Sequence, residues 1–302
     1  MHRAPSVLAA LLGFPVGAGL SAAPALAADP CPFDHQQLTY VGSAKEQAHC
    51  LLRHVRRYGE LDVATALPEP LEALVGQSSD IRVAQLQAYL RAHGLSDAVL
   101  GGPLALPLSL AMAGDPRAPR ARYFVIHDTS TPALGAAPFP DDLNSPSWAH
   151  NQLDSWIAGD KSRAHVFISR TGESVTAVDF SEPWRATKFE MQDTLLRRKG
   201  LFLHIELVMP RRNDPSGPAT NDALAPEPGI APAQYARLAL VYTAASVRAG
   251  HWLIPAFHAV LDAGRVDAHD DPQNFSLESF AAALALLRQQ VAATVASGTN
   301  PE

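Results

Sequence analysis

The chain has 302 residues, 47% of them hydrophobic and 18% charged, with a formal net charge of −6 at pH 7. That length accommodates one large core or two modest ones, and the composition is that of an ordinary globular protein. The acidic balance argues against a nucleic-acid partner gripped through phosphate contacts.

Residues 1–27 have a basic residue at Arg3, an apolar run, and the small-residue pattern Ala25-Leu26-Ala27. This is the layout of a secretory signal peptide cleaved after Ala27. Gly and Pro interrupt the apolar run, so it makes a poor membrane span, and no integral membrane anchor is expected. The expected location is periplasmic or secreted. Cys31 and Cys50, the two cysteines of the chain, lie in the exported part and are expected to form a disulfide there.

Residues 28–115 read as a helical N-terminal region. Ser43 and Glu46 form a capping box that opens a helix through AKEQAHCLLRHVRRY, with Gly59 as its stop. The Pro-spaced LPEPLEALVG reads as a connector with one helical turn. DIRVAQLQAYLRAH, ended by Gly94, places Ile81, Ala84, Leu86 and Leu90 mostly on one face. His49, His54 and His93 fall on charged faces and read as surface residues. AGDPRAPRAR, residues 113–122, reads as a linker.

From residue 122 strands and helices alternate, so 116–302 is expected to form an α/β domain with a central mixed β-sheet flanked by helices. RYFVIH is its first strand, and SWAHNQLDSWIAG follows as a helix. AHVFIS and SVTAVD form a hairpin turned at Gly172. GLFLHIELV alternates, with Phe202, His204, Glu206 and Val208 on one side. A long helix runs from Pro232 to a stop at Gly250. The strand LIPAFHAV, an irregular loop and the helix SLESFAAALALLRQQVAATVA complete the chain.

Three features raise chemical questions. His127 and His258 each end an apolar strand, and Glu206 is an acid inside an apolar strand, where a carboxylate is costly unless paired or functional. The loop after His258 adds His269 and several aspartates. Two strand-end histidines with a loop aspartate would satisfy a catalytic zinc site, which takes three protein ligands and keeps one position open. Each histidine taken singly is more often a structural residue than a metal ligand.

Taken in order, FVIHDTS, AHVFISRTG, HIELV, the Gln-bearing helix APAQYARL, and His258 followed by HDDP resemble the zinc-dependent N-acetylmuramoyl-L-alanine amidases of type 2. That family includes the peptidoglycan recognition proteins and phage amidases. The resemblance spans about residues 122–281 and implies a type 2 amidase-like fold, a Zn2+ cofactor, and peptidoglycan or muropeptides as partner. It implies His127, His258 and Asp271 as zinc ligands, with Asp271 preferred to Asp270 because it directly precedes Pro272. It makes Glu206 the general base, and His269, standing where the family has lysine, a donor to the developing oxyanion. His165 and Arg185 are the implied substrate contacts. Arg185 stands in PWRATKFE where the family often has histidine, and the loop from His258 to Asp271 is longer than in many relatives. Two other functions fit the same residues: peptidoglycan binding without catalysis, and zinc hydrolysis of another amide.

Overall fold

Strand β3 (Tyr123–Asp128) organises the structure, a computed structural model that describes residues 30–158, 164–217 and 222–298. All six of its residues are buried, as expected of a strand covered on both faces of a parallel sheet. The segment read as a signal peptide lies outside the described residues, among which no helix is long and apolar enough to cross a membrane.

Before β3 come β1 (Phe33–Asp34), β2 (Thr39–Tyr40), α1 (Ala44–Leu51), α2 (Glu69–Glu72) and α3 (Val83–Ala92). After it come α4 (Asp154–Ile157), β4 (Val166–Ile168), β5 (Ser174–Thr176), α5 (Lys188–Met191), β6 (Phe202–Leu207), α6 (Pro232–Ala249), β7 (Ile254–Phe257), α7 (His258–Leu261) and α8 (Leu277–Gly298). The protein is α/β, with a five-stranded mixed sheet in the order β5-β4-β6-β3-β7 flanked by helices. β4, β6, β3 and β7 run parallel, and only β5 runs antiparallel, joined to β4 by a turn in which Gly172 takes φ +83°. A side chain disfavours that backbone conformation and glycine does not.

Strand alternation divides the layers. Phe124 packs edge-on to Tyr242 of α6, with ring centroids 5.1 Å apart, so α6 and the helix packed on it, α8, cover that face. Tyr123 points the other way, donates to Gln47 of α1 at 2.8 Å and accepts the Tyr40 amide at 2.8 Å. His127, four residues along, faces the same side as Tyr123. The N-terminal segment therefore roofs the face that carries His127. One hydrophobic cluster runs from Cys31 to Val291 through both parts of the chain. Cys31 and Cys50 are disulfide-bonded.

Several elements depart from the sequence expectation. The first helix ends at Leu51 instead of running to Gly59, because Arg53 turns back and donates to the Cys50 carbonyl at 3.0 Å. Gly59 instead closes a 3-10 turn at Arg57–Gly59. The residues before β3 are correspondingly less helical than expected and include the β1–β2 hairpin. SWAHNQLDSWIAG forms a 3-10 turn, Ala149–Asn151, and the single turn α4. The Asn151 amide donates to the carbonyls of Leu143 and Ser145 and accepts the Arg170 amide, and such local bonds compete with helix. LIPAFHAV divides at Phe257, so His258 opens α7 and does not end a strand. The expectations for α6 held: Pro232 lies in its first turn, and Gly250 ends it at φ +76°.

Candidate metal centre

The carboxyl ends of β3, β6 and β7 meet at one edge of the sheet, where α/β folds place their ligands. The register pairs His127 with Glu206 and Val125 with His204, while Ile126 pairs with Phe257 and so puts His258 beside His127. Three residues from distant parts of the chain thereby share one row. Asp271 reaches the same place because its carbonyl accepts the Ala259 amide of α7 at 2.9 Å. The Asp128 amide also donates to its carboxylate at 3.1 Å.

The loop bearing Asp271 is pinned by a buried ion pair. Arg211 Nη2 lies 2.8 Å from Asp128 Oδ2, which also accepts the Gln273 amide at 3.2 Å. Arg211 additionally approaches Asp270 at 3.5 Å, and Gln273 donates to Asp270 at 2.7 Å. Asp270 is therefore committed to the frame, and Asp271 is the aspartate turned to the histidines.

His127, His258 and Asp271, all buried, converge on a group that could hold a metal ion, each offering one ligand atom within 4.8 Å of the others. The two Nδ1 atoms are 2.9 Å apart, His258 Nδ1 is 3.0 Å from Asp271 Oδ1, and His127 Nδ1 is 3.8 Å from Asp271 Oδ2. A tetrahedral ion with bonds of ~2.0–2.1 Å has donor–donor edges of about 3.3–3.4 Å, in the middle of this range. Two imidazoles and a carboxylate are borderline ligands suited to zinc and its neighbours. Glu206 Oε1 lies 3.9 Å from His127 Nδ1 on the more open side, with 12% of its side chain exposed.

Burial and the neighbouring charges shift the three groups in different directions. Burial, helped by the charge on His258, holds His127 well below the usual imidazole value. Burial also pulls at His258, but the carboxylates of Asp271 and Asp262 outweigh it and hold that ring up at about 10. Burial would raise Asp271, and His258 overcomes this and lowers it. The two carboxylates thus favour a proton on His258, beside the other two groups. A cation would have to displace it, so its affinity falls with pH.

His269 has its side chain half exposed, with Nδ1 3.6 Å from Asp271 and its ring stacked on His258 at 4.3 Å. His258, Asp262 and His269 also lie within metal-binding distance of one another. The stacked rings, inclined by only 23°, cannot both aim an in-plane lone pair at one ion, so this second group is a shelf beside the centre. Burial and the neighbouring His258 lower His269, leaving it neutral at pH 7 and able to donate only an N–H.

His165 is placed behind the centre and not in it. It is fully buried, Nδ1 accepting the His204 amide at 3.0 Å and Nε2 bonding to the Glu182 carbonyl at 3.2 Å, so neither nitrogen is left for a substrate. Arg185 is half buried on the segment between Glu182 and Thr187.

Sequence reasoning missed three residues. His204 Nδ1 lies 3.0 Å from His127 Nε2, and His204 Nε2 lies 3.1 Å from the buried carboxylate of Glu190. Asp262 Oδ2 is 3.0 Å from His258 Nε2. The available signals were the shared face of His204 and Glu206, the capping box Thr187 to Glu190, and the four-residue step from His258 to Asp262.

Two cavities lie outside the cluster. One of about 760 Å³ among α3, α6 and α8 is lined by Tyr89, Ile230, Tyr235 and Leu287 and includes none of the centre's residues. A second of about 420 Å³ is walled by His54, Arg57, Tyr58 and Asp214. It neighbours the metal loop, because Gly59 packs on Asp270 and the His269 carbonyl.

No family model, curated protein or solved structure matches the chain.

Proposed function

We propose that the protein is an exported zinc-dependent amidase that hydrolyses the N-acetylmuramoyl-L-alanine amide bond of peptidoglycan or its fragments. The observation that carries this reading is the convergence of His127, His258 and Asp271 at the carboxyl edge of the sheet, with Glu206 in register beside His127. The sequence resemblance supplies the substrate class and the type 2 amidase-like fold, and the five-stranded sheet is compatible with that fold.

A zinc ion held by the three ligands would supply Lewis-acid polarisation of the amide carbonyl and acidify water towards neutral pH. Glu206 accepts a proton from the attacking water and returns it to the leaving amine of L-alanine. Its partial exposure, against the burial of the three ligands, leaves it accessible to solvent and substrate. His269, on the open side, donates an N–H to the carbonyl oxygen as negative charge develops there. The Asp128 amide, donating to the Asp271 carboxylate at 3.1 Å, favours its ionised, ligating form.

A second reading, hydrolysis of a different amide, is favoured by the wall that Arg57, Tyr58 and Gly59 build next to the Asp270 loop. Mass spectrometry of defined muropeptides and intact peptidoglycan after incubation with zinc-loaded protein separates the readings. Free stem peptides beginning with L-alanine support the muramoyl amidase. Intact muropeptides, despite one bound zinc per chain, reject it in favour of another amide or of binding alone.

A further inference from the structure

We propose that Glu190 and His204 are positioning residues that fix the tautomer of His127, keeping its Nδ1 free of a proton and directed at the metal. This rests on the reading of His127, His258 and Asp271 as a metal centre.

Glu190 is fully buried on α5, where Oε2 accepts from the Thr187 hydroxyl at 2.8 Å and from the amides of Thr187 and Ala186 at 3.2 Å. Three donors on one oxygen define an acceptor, and an ionised carboxylate is acceptor-only. The group facing it, His204 Nε2, hydrogen-bonded to Oε1 at 3.3 Å and 3.1 Å from Oε2, therefore carries the proton. With that proton on Nε2, the neutral ring offers a lone pair at Nδ1. That lone pair faces His127 Nε2 at 3.0 Å, which must then be the protonated nitrogen of His127. His127 Nδ1 is left bare, 2.9 Å from His258 Nδ1 and in the cluster with Asp271. Outer partners of this kind hold a ligand's ring orientation and raise its basicity.

His204 itself is held. It is fully buried, its amide donates to His165 Nδ1, its carbonyl accepts the His165 amide at 2.9 Å, and the two rings stack 5.7 Å apart at 17°. The turn α5 also serves the second histidine ligand, because the Phe189 amide donates to Asp262 Oδ1 at 3.0 Å, and Asp262 faces His258 Nε2. Neighbouring residues of one helical turn thus frame both imidazoles.

Glu190→Gln tests the direction of this chain with little change of shape. The three cap donors require an oxygen at the Oε2 position, so the amide NH2 of glutamine takes the Oε1 position, the one hydrogen-bonded to His204 Nε2. Two donors cannot face each other, and His204 is driven to its other tautomer, which places a proton on His127 Nδ1. The experiment pairs zinc affinity, measured by competition with a chromophoric chelator, with 15N spectra of histidine-labelled metal-free protein, His127 being assigned through His127→Gln. The expected result is a bare Nδ1 on His127 in the unsubstituted protein, and in Glu190→Gln a protonated Nδ1 with zinc bound roughly 10–100-fold more weakly. Cooperative thermal unfolding of the variant confirms that it folds. Equal affinity with an unchanged tautomer overturns the proposal. So does a protonated His127 Nδ1 in the unsubstituted metal-free protein, a readout that stands even if the variant does not fold. Zinc binding absent from the unsubstituted protein, with the His127 tautomer as described, refutes the metal centre and not the relay.

Discussion

Glu206 and His127 are neighbours across two parallel strands, and their side chains leave the sheet on the same face. A base placed this way has its position set by the backbone ladder, and a rigid element holds a site more tightly than a loop does. Glu206→Gln is therefore expected to leave one zinc bound per chain while lowering stem-peptide release by roughly 10²–10⁴-fold. Rate assays alongside metal analysis check this, and loss of metal in the variant would instead make Glu206 a ligand. His269 is held less firmly, by stacking on His258 and an approach to Asp271. Its replacement by Ala is expected to reduce kcat by about 10²-fold at nearly constant KM, the signature of an oxyanion donor. A rise in KM alone would move His269 to substrate binding.

The elements converge on the centre through contacts of different kinds, and this decides what the sequence could disclose. β3, β6 and α6 are legible because hydrophobic runs, alternation, Pro232 and Gly250 are local signals. His127 and His258 are conspicuous because a polar ring ends an apolar run. In the sequence, only the place before Pro272, read through the resemblance, sets Asp271 apart from Asp270. What separates them in the structure is the buried Arg211–Asp128 pair, which takes up Asp270 and Gln273 from 59 and 145 residues away. Glu190 and Asp262 lie on single helical turns with no periodicity to read, and their roles depend on partners brought together by the sheet. The same pair yields a prediction about the loop. Arg211→Met leaves Asp128 buried without its counter-charge and is expected to cost about 3–5 kcal/mol in urea denaturation. A cost under 1 kcal/mol would show that the Asp271 loop is held by other contacts.

At the scale of the whole molecule, the N-terminal segment is part of the structure that frames the centre. Its hairpin and α1 cover the His127 face, Tyr40 and Gln47 engage Tyr123, and Gly59 packs on the metal loop. The disulfide closes a loop over 19 residues of separation, and its reduction is expected to lower stability by about 3 kcal/mol on the chain-entropy model. Denaturation with and without reductant measures this. A further dependence comes from His165, whose burial depresses it from 6.5 to about 3. Between those values the unfolded chain takes up a proton that the folded chain refuses. The stability present above pH 6.5 is therefore lost as pH falls, by about 2 kcal/mol at pH 5 from this ring alone. Comparison of denaturation at pH 7 and pH 5 is expected to show a smaller difference for His165→Gln than for the unsubstituted protein. An unchanged difference would mean that the ring charges within the folded state.

Native mass spectrometry with zinc would show whether His127, His258 and Asp271 form one metal centre. One zinc per folded chain is expected, retained in Glu206→Gln and lost in Asp271→Ala with the fold intact. A chain that takes up no zinc, or an Asp271→Ala variant that binds it unchanged, would contradict the account.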